Sequence, residues 1–302
     1  MLFSLPRRTF LAGLSAVGVT ACATRSGNTL LGHTVVGDGP ETVLVLHEWM
    51  GDHSNYDATL PYLATSQARY VFADLRGYGL SRDLHGSYSM AEAAADSVAL
   101  ADHLGAREFH VVGHSMSGMI AQYLALNWPE RVRSIMAISP VPACGFKADG
   151  AAMTKLRAIV VDDDSLRGAV AARTGNRYGR AWLDRKLALA RRADPTAMLG
   201  YLDMFTGTDF ASRMTDLPMP ARLVVGAHDI GFYGRNALEP AFQKAFARVD
   251  TSVVAEAGHY SMVETPVLVA ALMERMVATT TASVHALRFD GTARSFQPTT
   301  IY

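Results

Sequence analysis

Cysteine is almost absent: Cys22 and Cys144 are the two in 302 residues. No His, Cys or Asp cluster falls at zinc-ligand spacing, so no metal centre is expected. No glycine-rich loop follows the Walker or dinucleotide pattern; Arg76-Gly77-Tyr78-Gly79 departs from both. Charge of one sign is also missing. The 28 Lys and Arg balance the 28 Asp and Glu, and no basic block occurs. Nucleic acid is therefore not an expected partner, because such binding needs clustered cations against phosphates. Repeats and low-complexity stretches are lacking too. What remains is a chain that is 49% hydrophobic and 19% charged, enough for a large core.

The informative segment is Gly113-His114-Ser115-Met116-Ser117-Gly118, directly after the apolar run Phe109-His110-Val111-Val112. A short strand entering a glycine, a serine and small residues is how a nucleophilic serine is exposed at a tight strand-to-helix turn. The following helix, Ser117 to about Asn127, points its N-terminus at developing negative charge. A serine hydroxyl needs a positioned base, normally a histidine oriented by a carboxylate. His259 follows the strand-like Thr251–Ala255 and precedes a helical stretch from Pro266 to about Ala278. Asp229 follows the strand Arg222–Val225, whereas the loop at Ser139–Ala143 offers no carboxylate. The order Ser115, Asp229, His259 matches one of the three known triad orders. Asp74 and Arg76 are expected to hold a loop near the sheet edge. His47 and His114 are expected to be structural or to line a pocket, and His228 is a poor base candidate.

Four segments together resemble the α/β-hydrolase family, in its small, cofactor-free, single-domain group. They are His47-Glu48-Trp49-Met50-Gly51, Asp74–Ser81, Gly113–Gly118, and Gly258-His259 with Glu264 and Pro266 behind it. That group includes esterases, carbon–carbon hydrolases, lactonases and cofactor-free haloperoxidases. The resemblance implies an oxyanion hole formed by the backbone N–H groups of Met116 and Trp49. Two residues depart from the family pattern: Glu48 and Ser117 each stand where glycine is usual. Ser115 argues against dehalogenase and epoxide hydrolase chemistry, which use aspartate at the turn. The expected activity is serine hydrolysis of a small apolar carboxylic ester, without cofactor. Alternatives are carbon–carbon or lactone hydrolysis on the same triad, and a non-catalytic ligand-binding lipoprotein.

Residues 1–27 form an expected export segment. Arg7-Arg8-Thr9-Phe10-Leu11 resembles a twin-arginine signal, and Val19-Thr20-Ala21-Cys22 resembles a lipobox. Lipidation at Cys22 would anchor the protein in a bacterial envelope membrane, leaving Cys144 as a small buried apolar group. A cleaved signal at Ala21-Cys22-Ala23 is the alternative.

Alternating strands and helices imply an α/β fold with a mostly parallel sheet covered on both faces. Strands are expected near Leu30, Val43, Tyr70, His110, Ile135, Leu223 and Ser252. Helices are expected over Asn55–Thr65, Met90–Leu104, Ser117–Asn127, Asn236–Ala247 and Pro266–Ala278. The core is expected to comprise residues 28–142 and 218–279. Residues 143–217 lack a clear strand and are expected to form a helical cap. Its aromatics, with Trp182, and also His47, Phe232 and Tyr233 are pocket candidates. The tail 280–302 has no assigned role; within it His285–Phe289 is expected as a strand or edge contact. Oligomeric state is not legible.

Overall fold

The computed structural model describes residues 30–289 of the chain. The export segment with Cys22 and the residues after 289 lie outside this range. Among the described residues, no helix is long and apolar enough to cross a membrane.

Seven strands form one sheet: β1 (His33–Val36), β2 (Glu41–Leu46), β3 (Ala68–Ala73), β4 (Phe109–His114), β5 (Val132–Ile138), β6 (Ala221–Gly226) and β7 (Val249–Val254). Their order is β1-β3-β2-β4-β5-β6-β7. Only β1 runs antiparallel, against β3 at one edge. The central strands β4 and β6 are buried along their whole length. Their centres, Val111-Val112 and Leu223-Val224-Val225, are apolar, which suits a sheet covered on both faces. The α/β architecture with a mostly parallel sheet is therefore as the sequence implies.

Helix α1 (Met90–His103) begins with a reciprocal cap. Ser89 Oγ accepts from Glu92 N at 3.2 Å, and the Glu92 carboxylate accepts from Tyr88 N at 2.8 Å. Helix α2 (Met116–Asn127) leaves β4 through a crowded turn. A Cβ on Gly113 would lie 2.2 Å from the Ser117 carbonyl oxygen, and one on Gly118 would lie 2.4 Å from Pro140 Cβ. Only hydrogen fits at either position.

Between β5 and β6 stand four helices: α3 (Gly150–Val161), α4 (Asp163–Ala172), α5 (Arg180–Ala190) and α6 (Pro195–Gly207). Asp149, Asp162 and Asp194 cap three of them by accepting backbone N–H bonds in the first turn. The core then closes with α7 (Arg235–Ala245), the short α8 (Ser261–Glu264) and α9 (Pro266–Phe289).

Three expectations need correction. Asn55–Thr65 is not one helix but two 3-10 turns, His53–Tyr56 and Leu60–Tyr62. Pro61 removes a backbone donor and disfavours helical geometry at Leu60, and the chain is extended again at Leu63. His285–Phe289 is the last part of α9, not a strand; no glycine or proline interrupts the chain from Val267 to Asp290. Cys144 is half-buried rather than part of the core.

Candidate functional site

Leu46 at the end of β2 pairs with Gly113 near the end of β4. The turns that follow, carrying Glu48-Trp49 after β2 and Ser115 after β4, therefore leave the sheet side by side. β6 ends at Gly226, three residues before Asp229, and pairs with β7, whose following loop carries His259. All these residues lie beyond the carboxyl ends of the strands, where open α/β sheets bind ligands.

Ser115 has φ +54° and ψ −114°, a backbone conformation that L-residues seldom adopt. It is held there from three sides. Its N–H donates to Ile138 O at 2.9 Å, and its carbonyl accepts from Gly118 N and Val141 N, both at 2.9 Å. The chain passes from β4 through Ser115 directly into α2, whose first residue is Met116. Ser117 does more than fit in place of glycine. Its hydroxyl donates to the His47 carbonyl, tying the turn to the loop after β2.

The imidazole of His259 is 1% exposed, and its Nδ1 lies 2.6 Å from Asp229 Oδ2. This bond places the proton on Nδ1 and leaves Nε2 able to act as a base. Asp229 Oδ1 accepts from Ile230 N at 2.8 Å, which fixes the carboxylate. Ser115 and His259 are joined by their neighbours. The Tyr233 ring centroid stands 4.4 Å from that of His259, and its hydroxyl interacts with Ser115. Burial pushes the Tyr233 pKa up, so the hydroxyl stays protonated beside the serine. From the other side, His114 Nε2 meets the His259 carbonyl at 2.7 Å. Burial, helped by His259, pushes the His114 pKa well below its ordinary value, which keeps it neutral.

Trp49 is buried, with its indole N–H and its carbonyl engaged. Its Nε1 donates to Met198 O at 2.8 Å, and its carbonyl accepts from the Tyr78 hydroxyl at 2.9 Å. Fully buried, His47 accepts from Leu75 N at Nε2 and meets Glu48 O at Nδ1, so it supports the loop. Asp74 acts likewise as a loop anchor, accepting from His53 N and Leu80 N, both at 2.7 Å. Phe232 is half-buried against Phe146, and Trp182 stacks on Tyr178, both at 4.5 Å between centroids. Trp182, Asn55 and Lys186 help line a cavity of about 320 Å³ between α5 and the 3-10 turn at His53–Tyr56.

Four contributors were not singled out from sequence for the parts they play. Glu264, on α8, accepts from Gly258 N and Tyr260 N at 2.9 Å each, clamping the His259 loop on both sides. The same carboxylate takes Arg177 Nη2 at 2.6 Å and the Tyr178 hydroxyl at 3.0 Å. Arg173 accepts from His259 N at 2.8 Å through its carbonyl. Its guanidinium is buried, donates to Ala169 O, and lies in the field of Tyr233, Tyr260, Asp229 and Glu48. Among the described residues, no carboxylate oxygen lies within 4.0 Å of it. Lys186 and Asn55 meet Glu48, as set out below. Of these, only Glu264 carried a sequence signal, through its spacing from Gly258-His259. Arg173 and Lys186 sit among other basic residues of the insertion, where nothing local distinguishes them.

The described residues hold one group with metal-ligand geometry, Asp52, His53 and Asp74. Its atoms are already engaged: His53 Nδ1 lies 2.6 Å from Asp74, and Asp52 pairs with Arg192 at 2.7 Å.

A sheet of this order, a strained serine at its centre, and a buried His–Asp pair at the neighbouring strand ends define an α/β-hydrolase architecture. The chain belongs to the alpha/beta hydrolase fold family, whose profile matches residues 41–196, just over half of it. The first curated relatives it matches are named as enzymes, and the chain spans less than two fifths of their length. It is 39% identical over 105 residues to the dihydrolipoyllysine-residue acetyltransferase component of the acetoin cleaving system of Cupriavidus necator. That match covers 35% of this chain and 28% of the relative. It is 26% identical to the pimeloyl-[acyl-carrier protein] methyl ester esterase of Nitrosomonas europaea, over 64% of this chain and 79% of the relative. The bromoperoxidase from Bacillus anthracis superposes with a TM-score of 0.73 at 17% identity, covering 82% of this chain and 94% of that one. That likeness is one of fold.

Proposed function

We propose that the protein hydrolyses a small carboxylic ester through an acyl-enzyme, with Ser115 as nucleophile, His259 as base and then acid, and Asp229 as its orienter. The observation that carries this is the strained Ser115 beside Tyr233 and His114, both of which touch a His259 already oriented by Asp229 at 2.6 Å. Attack would place negative charge on the carbonyl oxygen, facing the N–H of Met116 and that of Trp49. Removing one such donor typically costs about 3–4 kcal/mol of barrier.

A second reading, carbon–carbon hydrolysis of an acidic substrate on the same triad, draws support from Arg173. A buried guanidinium without a carboxylate partner favours a substrate that carries its own negative charge over a wholly apolar ester. Export to the cell envelope belongs to the same proposal and rests on the residues around Arg7-Arg8 and Cys22.

The test is intact-mass labelling of the folded protein with a fluorophosphonate. One adduct, lost in Ser115→Ala, is expected. No adduct on the wild type, or an unchanged adduct in the variant, refutes the assignment.

A further inference from the structure

Glu48 brings a carboxylate to a loop that should favour negative charge on its substrate, and it is 1% exposed. It does not point to solvent. One oxygen accepts from the N–H of Met50, the residue just past Trp49. The other lies 3.2 Å from Asn55 Nδ2 and 3.3 Å from Lys186 Nζ. Lys186 belongs to α5 of the insertion and is itself 4% exposed. Its ammonium donates to Asn55 Oδ1 at 2.7 Å and stands 4.1 Å from the centroid of the Tyr260 ring, next to His259. Glycine at 51 makes the arrangement possible, because a Cβ there would lie 2.1 Å from Asn55 Nδ2 and 2.8 Å from the Glu48 carboxylate. A cavity of about 320 Å³ reaches Lys186 and Asn55, so the pair sits at the seam between insertion and core.

Two buried charges of opposite sign on different parts of the fold are costly apart and tolerable together. With Lys186 in place, the carboxylate is neutralised and acts as a fixed acceptor for the loop backbone. With Lys186 withdrawn, the same carboxylate would oppose any oxyanion formed beside Trp49.

We propose that Lys186 and Glu48 are positioning residues that make a competent oxyanion loop conditional on the docking of α5. This rests on the hydrolase reading above. It adds that the helical insertion completes the transition-state site electrostatically, besides covering it. Burial pushes the Lys186 pKa down while Glu48 opposes that shift, as expected for a cation retained by one specific partner.

The test is a charge cycle on full-length protein: Lys186→Met, Glu48→Gln and the double variant, assayed on p-nitrophenyl acetate. Lys186→Met should lower kcat about tenfold or more with KM changed less than about threefold, because the loss falls on the charged transition state. The double variant should recover most of that kcat, since glutamine keeps an acceptor for Met50 N–H without the charge. A purely structural role predicts the opposite order, with the double variant worse than either single one. Hydrogen exchange of the amides at 48–50 should rise in Lys186→Met, a readout that needs no turnover. Unchanged kcat and exchange in Lys186→Met, or no recovery in the double variant, overturns the proposal. If wild type takes no fluorophosphonate adduct, the hydrolase reading fails separately, and the exchange data still decide whether the pair orders the loop.

Discussion

The loops carrying Asp229 and His259 pack closely at one glycine, and that contact predicts a large effect from one methyl group. Gly226 ends β6. A Cβ built on it would lie 1.9 Å from the Gly258 carbonyl oxygen, 2.5 Å from the Gly258 carbonyl carbon and 2.6 Å from the Ala257 carbonyl oxygen. All three are backbone atoms, so no side chain can rotate aside. Ordinary contact begins near 3.4 Å, so Gly226→Ala requires a displacement of about 1.5 Å. The Gly258 loop has little freedom to absorb it. Its far side meets Arg173, whose carbonyl oxygen lies 2.4 Å from the Cβ position of Gly258. The His259–Asp229 bond of 2.6 Å would then open past hydrogen-bonding distance. Overpacking of this kind costs about 1–3 kcal/mol of stability, and an ångström of misplacement costs about 100-fold in rate. The expected result is a folded protein with Tm lowered by several degrees and kcat lowered by about two orders of magnitude. Assays are thermal unfolding and p-nitrophenyl acetate turnover on the same preparation. An alanine variant with both values near wild type would show that the two loops adjust independently, and the argument from contact would be wrong.

Two further predictions follow from the same geometry. Asp229→Asn keeps the shape but donates where it should accept, so the histidine proton moves to the wrong nitrogen; kcat should fall by about 10⁴ with the fold intact. A loss below about tenfold would assign the acid elsewhere. His114 is neutral in the fold and has a pKa well below 6.5. The folded state therefore binds fewer protons than the unfolded state below pH 6.5. Its contribution is complete above that pH and declines as pH falls toward the folded value, by up to about 1.4 kcal/mol per pH unit. Urea midpoints between pH 7.5 and 4.5 should show this decline, and His114→Asn should remove about one proton's worth of slope. An identical slope in the variant would mean that His114 accepts its proton without disturbing the fold.

Sequence was sufficient where the chemistry is local. The Phe109–Val112 run, Gly113 and Ser115 state their own geometry, because only one kind of strand-to-helix turn fits them. It failed where a proline outweighed composition, at Pro61, and where an uninterrupted apolar helix ran past its expected end at Ala278. The site was legible in its chain order but not in its supports. Arg173 and Lys186 act across 86 and 138 residues of sequence respectively. No periodicity or capping rule links positions so far apart; packing alone selects which Arg or Lys of a basic helical stretch turns inward. Glu48 read as a departure from pattern, and its counter-charge became visible only once α5 was placed.

The backbone N–H of His259 donates to the insertion, at Arg173, and the carboxylate that clamps its loop is bonded to Arg177. The insertion is thus not a lid laid over finished machinery. Lifting it as a rigid body would release the histidine as well as expose it, so opening and disarming would be one motion.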